Sequence, residues 1–371
     1  MIYWICVCLV VTPLLVERWL TDRRRRAIPI RIHVHGTRGK SSTVRLLARM
    51  LSERGVVVLA KTTGDAPEYI LPDGRVEPIR RLGPPRILEH VALLRRAARL
   101  RVDAVVVEGM AIGPETVWHS EEILRATHAV VTNTRPDHAE TMGEGRRGVL
   151  RTLSLMMPQR GAFFTGDEEG AGELLEVAER NECAATVVAS PTSTRQPFRL
   201  AATVAERIFP ANPATGLPDV ADDEGPDWRP IDGTDGSVRL LDLFSANDVE
   251  TSAALWAARP SERGRLRVAV LATRADRPLR TKSFLVRLLV DHGFHRILPL
   301  GDHAGWVWLA AGGERVERVA PWKSPAAIVA RLVAEATAAG FVGVDFVGLG
   351  NCHGAGEKWR ALSKRNSEHA D

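Results

Sequence analysis

Lysine is scarce in this 371-residue sequence: it supplies six of fifty basic side chains, so the formal net charge of +5 rests almost wholly on arginine. That skew reads as a base-composition bias rather than a nucleic-acid-binding surface, and part of the excess is the single run Arg23–Arg26. Cysteine is also sparse. Cys6 and Cys8 lie in the apolar N-terminus, while Cys183 and Cys352 stand far apart, so neither a disulfide framework nor a zinc site is encoded and a reducing compartment fits. No internal repeat occurs. An apolar fraction of 45% excludes wholesale disorder, and the length allows two domains.

Ile2–Val16 is almost unbroken apolar and ends in Glu17, Arg18, Trp19 and Leu20. Twenty helical residues span about 30 Å, one hydrocarbon core, so the run crosses a bilayer only if Glu17 and Arg18 reach the interface. Positive charge before the run and a small-residue cleavage site after it are both missing, which argues against a cleaved signal peptide. Arg23–Arg26 place the rest of the chain on the cytoplasmic side. The expectation is a single-pass anchor over residues 1–20 in the cell membrane, with the catalytic part in the cytoplasm.

Strand and helix patterns then alternate, the signature of a mostly parallel α/β sheet. Strands are expected at Ile30–Val34, Val56–Ala60, Val102–Val107, Ala129–Thr132 and Ala162–Thr165. Val44, Leu47, Ala48 and Leu51 form a helical stripe that stops at Gly55. Phe209–Ser237, rich in Pro, Gly and Asp, reads as a loop or insertion. A fresh α/β unit starts near Arg267, with strands Val268–Thr273, Ile297–Leu300 and Val342–Val347 and a helix capped by Ser324-Pro325. These patterns divide the chain into a central domain over 27–260 and a C-terminal domain over 265–371, with the boundary near Ala258–Arg265.

The segment Gly36-Thr37-Arg38-Gly39-Lys40-Ser41-Ser42 follows a strand and opens a helix, the context a phosphate loop needs. Backbone N–H groups of the turn and the helix N-terminus suit the phosphates of ATP; Lys40 would reach the β- and γ-phosphates and Ser41 would ligate Mg²⁺. The usual motif has a glycine where this chain has Val34. A Gly-rich strand–helix turn with a chance Gly-Lys-Ser is the alternative. Glu108 ends the Val102–Val107 strand, and Asn133, Asp137 and His138 come after the next one. Taken singly, Glu108 is compatible with a strand-end surface charge and His138 with an ordinary loop histidine.

Gly-Thr-x-Gly-Lys-Ser without the earlier glycine resembles the loop of Mur ligases and folylpolyglutamate synthases. Lys61-Thr62-Thr63-Gly64, Glu108, Thr132–His138 and Ser245-Ala246-Asn247-Asp248 fall in that family's order. Within the superfamily the chain is similar to the ligase subunits of poly-γ-glutamate synthases, on Ala60–Pro67, Gly83-Pro84-Pro85, Val107–Ala111, Arg274–Pro278 and Gly348–Glu357. The resemblance implies a P-loop-type Mur-ligase central domain and a smaller Rossmann-like C-terminal domain behind one transmembrane helix.

It further implies that Ser41 and Glu108 hold Mg²⁺ (or Mn²⁺), that His138 holds a second metal ion, and that Asn247 reads the adenine. Arg274, Asp276 and Arg277 would close on the nucleotide, with Arg277 among the catalytic groups. The implied reaction is ADP-forming. A glutamate γ-carboxylate on a γ-glutamyl chain is phosphorylated by ATP, and another glutamate displaces the phosphate. Small membrane subunits are the implied partners, a homo-oligomer is possible, and no nucleic acid is involved. Many Mur ligases carry a carbamylated lysine after the Asp-His block. Here no lysine occurs between Lys61 and Lys282, and Glu140 is a conceivable carboxylate substitute. Two other classes remain open: a folylpolyglutamate-type or other Mur-like ligase of a different acid, and a non-enzymatic basic P-loop protein.

Overall fold

Strand–helix alternation builds two α/β units, Met1–Ala221 and Asp222–Asp371, in this computed structural model. It describes all residues except 1, 64–66, 82, 84, 191–194, 211–225, 235, 247–248, 276, 290–292, 312–314, 321 and 364–371.

The first unit opens with the helix α1 (Ile2–Arg26) and carries β1 (Ile30–His35), β2 (Val58–Lys61), β3 (Glu68–Ile70), β4 (Val76–Pro78), β5 (Ala104–Glu108), β6 (His128–Val131), β7 (Ala162–Thr165) and β8 (Ala184–Val187). The strand order is β4-β3-β2-β5-β1-β6-β7-β8. Pairing is parallel except at the β2–β3 and β3–β4 ladders, which form an antiparallel edge. The parallel core matches the expected sheet. The strands β3, β4 and β8 escape a pattern-based reading because they are short and, unlike the equally short β2, β6 and β7, bury none of their residues fully.

Ile32 and Val34 point from β1 to one face, where Val44, Leu47 and Leu51 of α2 (Lys40–Glu53) and the helix Gln196–Ile208 close the core. The other face is covered by α3 (Glu89–Leu100), α4 (Pro114–Leu124) and the helix Gly145–Leu153. β1 is therefore buried on both sides, as parallel sheets require. Its polar alternates are buried with it: His33 is fully enclosed and His35 nearly so.

The N-terminal helix α1 continues to Arg26, beyond the expected end at residue 20. Its last turns pack along α3, and Thr21 and Arg25 are buried there. Arg25 donates to the carbonyl oxygens of Glu122 and Ile123 at the end of α4. The segment Tyr3–Arg26 is long and apolar enough to cross a membrane by length and composition.

The second unit holds β9 (Trp228–Pro230), β10 (Val238–Asp242), β11 (Arg265–Thr273), β12 (Arg296–Gly301) and β13 (Gly343–Gly350), ordered β12-β11-β13-β10-β9. Only β9 is antiparallel among these described strands. Helices cover both faces, and Ser324 caps the helix Pro325–Ala338 by accepting from the Ala327 N–H at 3.2 Å.

The boundary expected near Ala258–Arg265 is corrected here. β10 pairs in parallel with β13, so β9, β10 and the helix Val249–Ala258 belong to the second unit, which begins at Asp222. The chain enters this sheet at the three-residue edge strand β9 and turns into β10, whose parallel partner β13 lies more than a hundred residues further on, so no local pattern ties β10 to the second unit. Most of the expected 209–237 loop (211–225 and 235) lies outside the described residues.

Candidate active site

The phosphate loop starts where β1 ends. Val34, at the place of the missing glycine, is fully buried against α2, so the strand continues as core up to His35 and the turn begins only at Gly36. Gly36 has φ +127°, and a Cβ there would lie 2.1 Å from Thr132 Oγ1. Only glycine fits that approach. Gly39 (φ +77°) caps α2, so Lys40, Ser41 and Ser42 form its first turn, where the N–H groups of the helix start and the helix dipole favour an anion.

Residues just past β6 hold the loop in place. Thr37 Oγ1 donates to Asn133 Oδ1 at 2.6 Å, and the Arg38 carbonyl accepts from Thr132 Oγ1 at 2.6 Å and Asn133 Nδ2 at 3.0 Å. Asp137 pairs with Arg38 at 2.7 Å. The Thr132–Asp137 block thus acts as the loop's scaffold, a role the motif alone did not disclose.

Glu108 ends β5, paired in register with Val34 of β1, and is almost fully buried. Its Oε2 accepts from Ser41 Oγ at 2.8 Å and from the Thr63 N–H at 2.8 Å. The two residues expected to share a divalent cation therefore meet. An alcohol and a carboxylate are oxygen donors of the kind Mg²⁺ takes, with water and phosphate oxygens completing its shell, so this pair fits the ion. Among the described residues no group of three His, Cys, Asp or Glu side chains converges as a complete protein-only metal site. His138 lies in the left-handed region (φ +48°), its Nε2 3.8 Å from Asp137 Oδ2 and its Nδ1 3.7 Å from Glu140 Oε1.

Behind the loop lies a buried polar group that sequence reasoning missed. His35 accepts the Gly36 N–H at Nδ1 (2.9 Å), and its Nε2 stands 2.8 Å from the Ala111 carbonyl, which fixes a neutral ring. Burial first, then His33 and Lys40, push its pKa well below the ordinary histidine value. Lys61, fully buried at the end of β2, forms an ion pair with Glu89 Oε2 at 2.8 Å. Burial lowers its pKa despite that pair.

Burial disfavours the Glu89 carboxylate, but the hydrogen bonds from Arg81 and the adjacent Lys61 charge prevail and hold its pKa at about 2. A depressed carboxyl pKa stabilises the fold above the unfolded value of 4.5, and that contribution is lost as pH falls towards 2. His90, buried and held neutral, adds to acid lability because unfolding lets it charge. The wild type should therefore lose about 1–2 kcal/mol between pH 5 and 2 that Glu89→Gln does not lose. Equal acid slopes for the two proteins in denaturant titrations would remove Glu89 from this role.

A second missed centre is Asp167, which accepts from the Thr134 N–H (2.6 Å), the Thr134 hydroxyl, the Gly170 N–H (3.1 Å) and Arg146 (2.9 Å). It holds the segment after Asn133 against the end of β7. Its partners are up to 33 residues away, which leaves no local pattern to find.

In the second unit, Arg274 and Arg277 lie in the turn after β11, with the Arg277 N–H donating to the Arg274 carbonyl at 3.1 Å. The 351–357 segment comes after β13, the neighbour of β11. Asn351 joins the two segments, since its Nδ2 donates to the Ala272 carbonyl at 2.9 Å and its Oδ1 accepts from Arg280 at 2.9 Å. Both motifs thus sit at the carboxyl edge of one sheet, where α/β folds bind ligands. Asn247 and Asp276 lie outside the described residues.

Comparison with known proteins gives this geometry a family. Residues 34–194 match the Mur ligase middle domain, and residues 229–366 match the poly-gamma-glutamate synthase CapB C-terminal domain. The chain belongs to the CapB-type Mur ligases. PGA synthase CapB of Bacillus subtilis (strain 168) is 27% identical over 284 residues, covering 70% of this chain and 71% of that protein. The capsule biosynthesis protein CapB of Bacillus anthracis is 26% identical over 311 residues, covering 77% of this chain and 66% of that one. The fold of this CapB-type chain is also that of Mycobacterium tuberculosis folylpolyglutamate synthase, solved with ADP. The TM-score is 0.65 at 17% identity, over 96% of this chain and 94% of that one.

Proposed function

We propose that this CapB-type chain is an ADP-forming ligase that joins glutamate to the γ-carboxylate end of a γ-glutamyl chain at the cytoplasmic face of the membrane. The observation that carries the reading is the Ser41–Glu108 contact at 2.8 Å beside the first turn of α2, which sets a cation-binding pair next to a phosphate cradle. The family match supplies the class of reaction, and the CapB relatives supply the substrate.

The loop grips the β- and γ-phosphates, so ADP is the leaving group and the γ-phosphoryl group is what moves. A γ-carboxylate oxygen attacks the γ-phosphorus as the bond to ADP breaks. The amine of the incoming glutamate then attacks the acyl carbon, the C–O bond to phosphate breaks, and the amine proton leaves to solvent. Lys40 and the N–H groups of α2 neutralise charge on the transferring group, and Ser41 and Glu108 would hold Mg²⁺ or Mn²⁺. Such an ion supplies charge neutralisation across the phosphates. His138, beside Asp137, would hold a second ion. α1 anchors the chain, and small membrane subunits are the proposed partners.

Glutamate carrying ¹⁸O in its γ-carboxylate tests the sequence of steps. Turnover with Mg²⁺ and ATP, in membranes that contain any partner subunits, should yield ADP and phosphate bearing one labelled oxygen. AMP as the glutamate-dependent product would exclude the acyl phosphate.

A further inference from the structure

Glu17, the first charged side chain of α1, is held by the folded part of the first unit: Arg95 of α3 lies 3.6 Å from it and Arg24 3.4 Å. The apolar run Ile2–Val16 that precedes it makes about 22 Å of helix against a hydrocarbon core of about 30 Å. A span that short draws its flanks to the bilayer surface.

The flank is built for such contact. Leu88, Ala92, Arg95 and Arg99 recur at three- or four-residue spacing and form one exposed stripe beside and along α3, and Leu88 is 64% exposed. Arg95, the residue that touches Glu17, sits on this stripe, so the stripe borders the point where α1 leaves the protein. Arg18 and Trp19 are exposed on the adjoining turn of α1. Of the Arg23–Arg26 run, Arg25 is buried against α4 and Arg24 turns back to Glu17, while Arg23 is exposed and lies over the Trp19 ring at 5.6 Å, beside the same surface.

We propose that the exposed stripe of α3 (Leu88, Arg95 and Arg99), with Arg18 and Trp19 of α1, rests on acidic lipid headgroups and fixes the orientation of the first unit against the membrane. The proposal rests on the reading of α1 as a membrane anchor. Each arginine near an anionic surface strengthens docking by about fivefold. Leu88 and Trp19 add the apolar and aromatic character that interfaces select.

Full-length protein carrying a fluorescent amino acid in place of Ala92 would be reconstituted into phosphatidylcholine vesicles with spin-labelled headgroups, with and without phosphatidylglycerol. Quenching should be strong only with the acidic lipid and should fade with salt. The double variant Arg18→Glu/Arg99→Glu leaves the Glu17–Arg95 pair intact and should lower the quenched-to-unquenched ratio by about tenfold or more. Its ATP turnover in detergent should match the parent, which shows that it is folded. Vesicle-bound protein whose probe is never quenched, or is quenched equally in the charge-reversed variant, overturns the docking face while leaving the anchor in place. Protein that carbonate strips from the vesicles overturns the anchor and the docking face together.

Discussion

Lys40→Ala should lower ATP turnover by about 10²–10³-fold while leaving thermal stability unchanged or slightly raised. Two features of the site separate these effects. Lys40 is the first residue of α2, at the positive end of the helix dipole, where a cation is unfavourable by a few tenths of a kcal/mol and alanine is a better helix former. It lies outside the apolar core that α2 builds from Thr43, Val44, Leu47, Ala48, Met50 and Leu51. What the substitution removes is the positive charge proposed to neutralise the γ-phosphoryl group as it transfers. The measurement is ATP turnover in metal-saturated buffer together with a melting curve. Near-native turnover by a folded variant would mean that the loop binds something other than a reacting nucleotide.

How much of this site was legible depends on how local each interaction is. The phosphate loop could be read because its chemistry is contiguous: strand, glycine turn, Lys-Ser, helix. Glu108 could be placed at a strand end by pattern, but its meeting with Ser41 depends on β5 lying beside β1, a pairing between strands some seventy residues apart. Asn133 and Asp137 stood out as a block, yet their work as scaffold for Thr37 and Arg38 crosses about a hundred residues of chain. Polar residues inside the core were the hardest. His33, His90 and Lys61 break the apolar pattern that marks buried elements, and only the fold shows that burial applies to them too. The domain boundary failed for a related reason: β10 finds its partner in β13, more than a hundred residues further on.

The Ser41–Glu108 pair gives the sharpest test of the metal assignment, and the choice of substitution decides what is learned. Glu108→Ala would leave the Ser41 hydroxyl and the Thr63 N–H facing a buried gap, at a cost of about 1–3 kcal/mol, so lost activity would be confounded with lost structure. Glu108→Gln keeps the volume and one acceptor oxygen for those donors and removes only the charge. A carboxylate binds a hard divalent cation far better than an amide does, so half-maximal activity should require about tenfold or more Mg²⁺, with maximal turnover lower by about 10²-fold. Nucleotide affinity measured without divalent metal should change little, because the loop and the first turn of α2 are untouched. Mn²⁺, with its higher affinity for such donors, should restore part of the lost rate at concentrations where Mg²⁺ does not. His138→Ala is the companion measurement, since its ring stands with Asp137 and Glu140 rather than with Ser41. It should raise the metal requirement while leaving the Ser41–Glu108 contact intact. Should the Mg²⁺ titration of Glu108→Gln overlay that of the wild type, the carboxylate would be a brace between Ser41 and Thr63, and the cation would have to be held elsewhere.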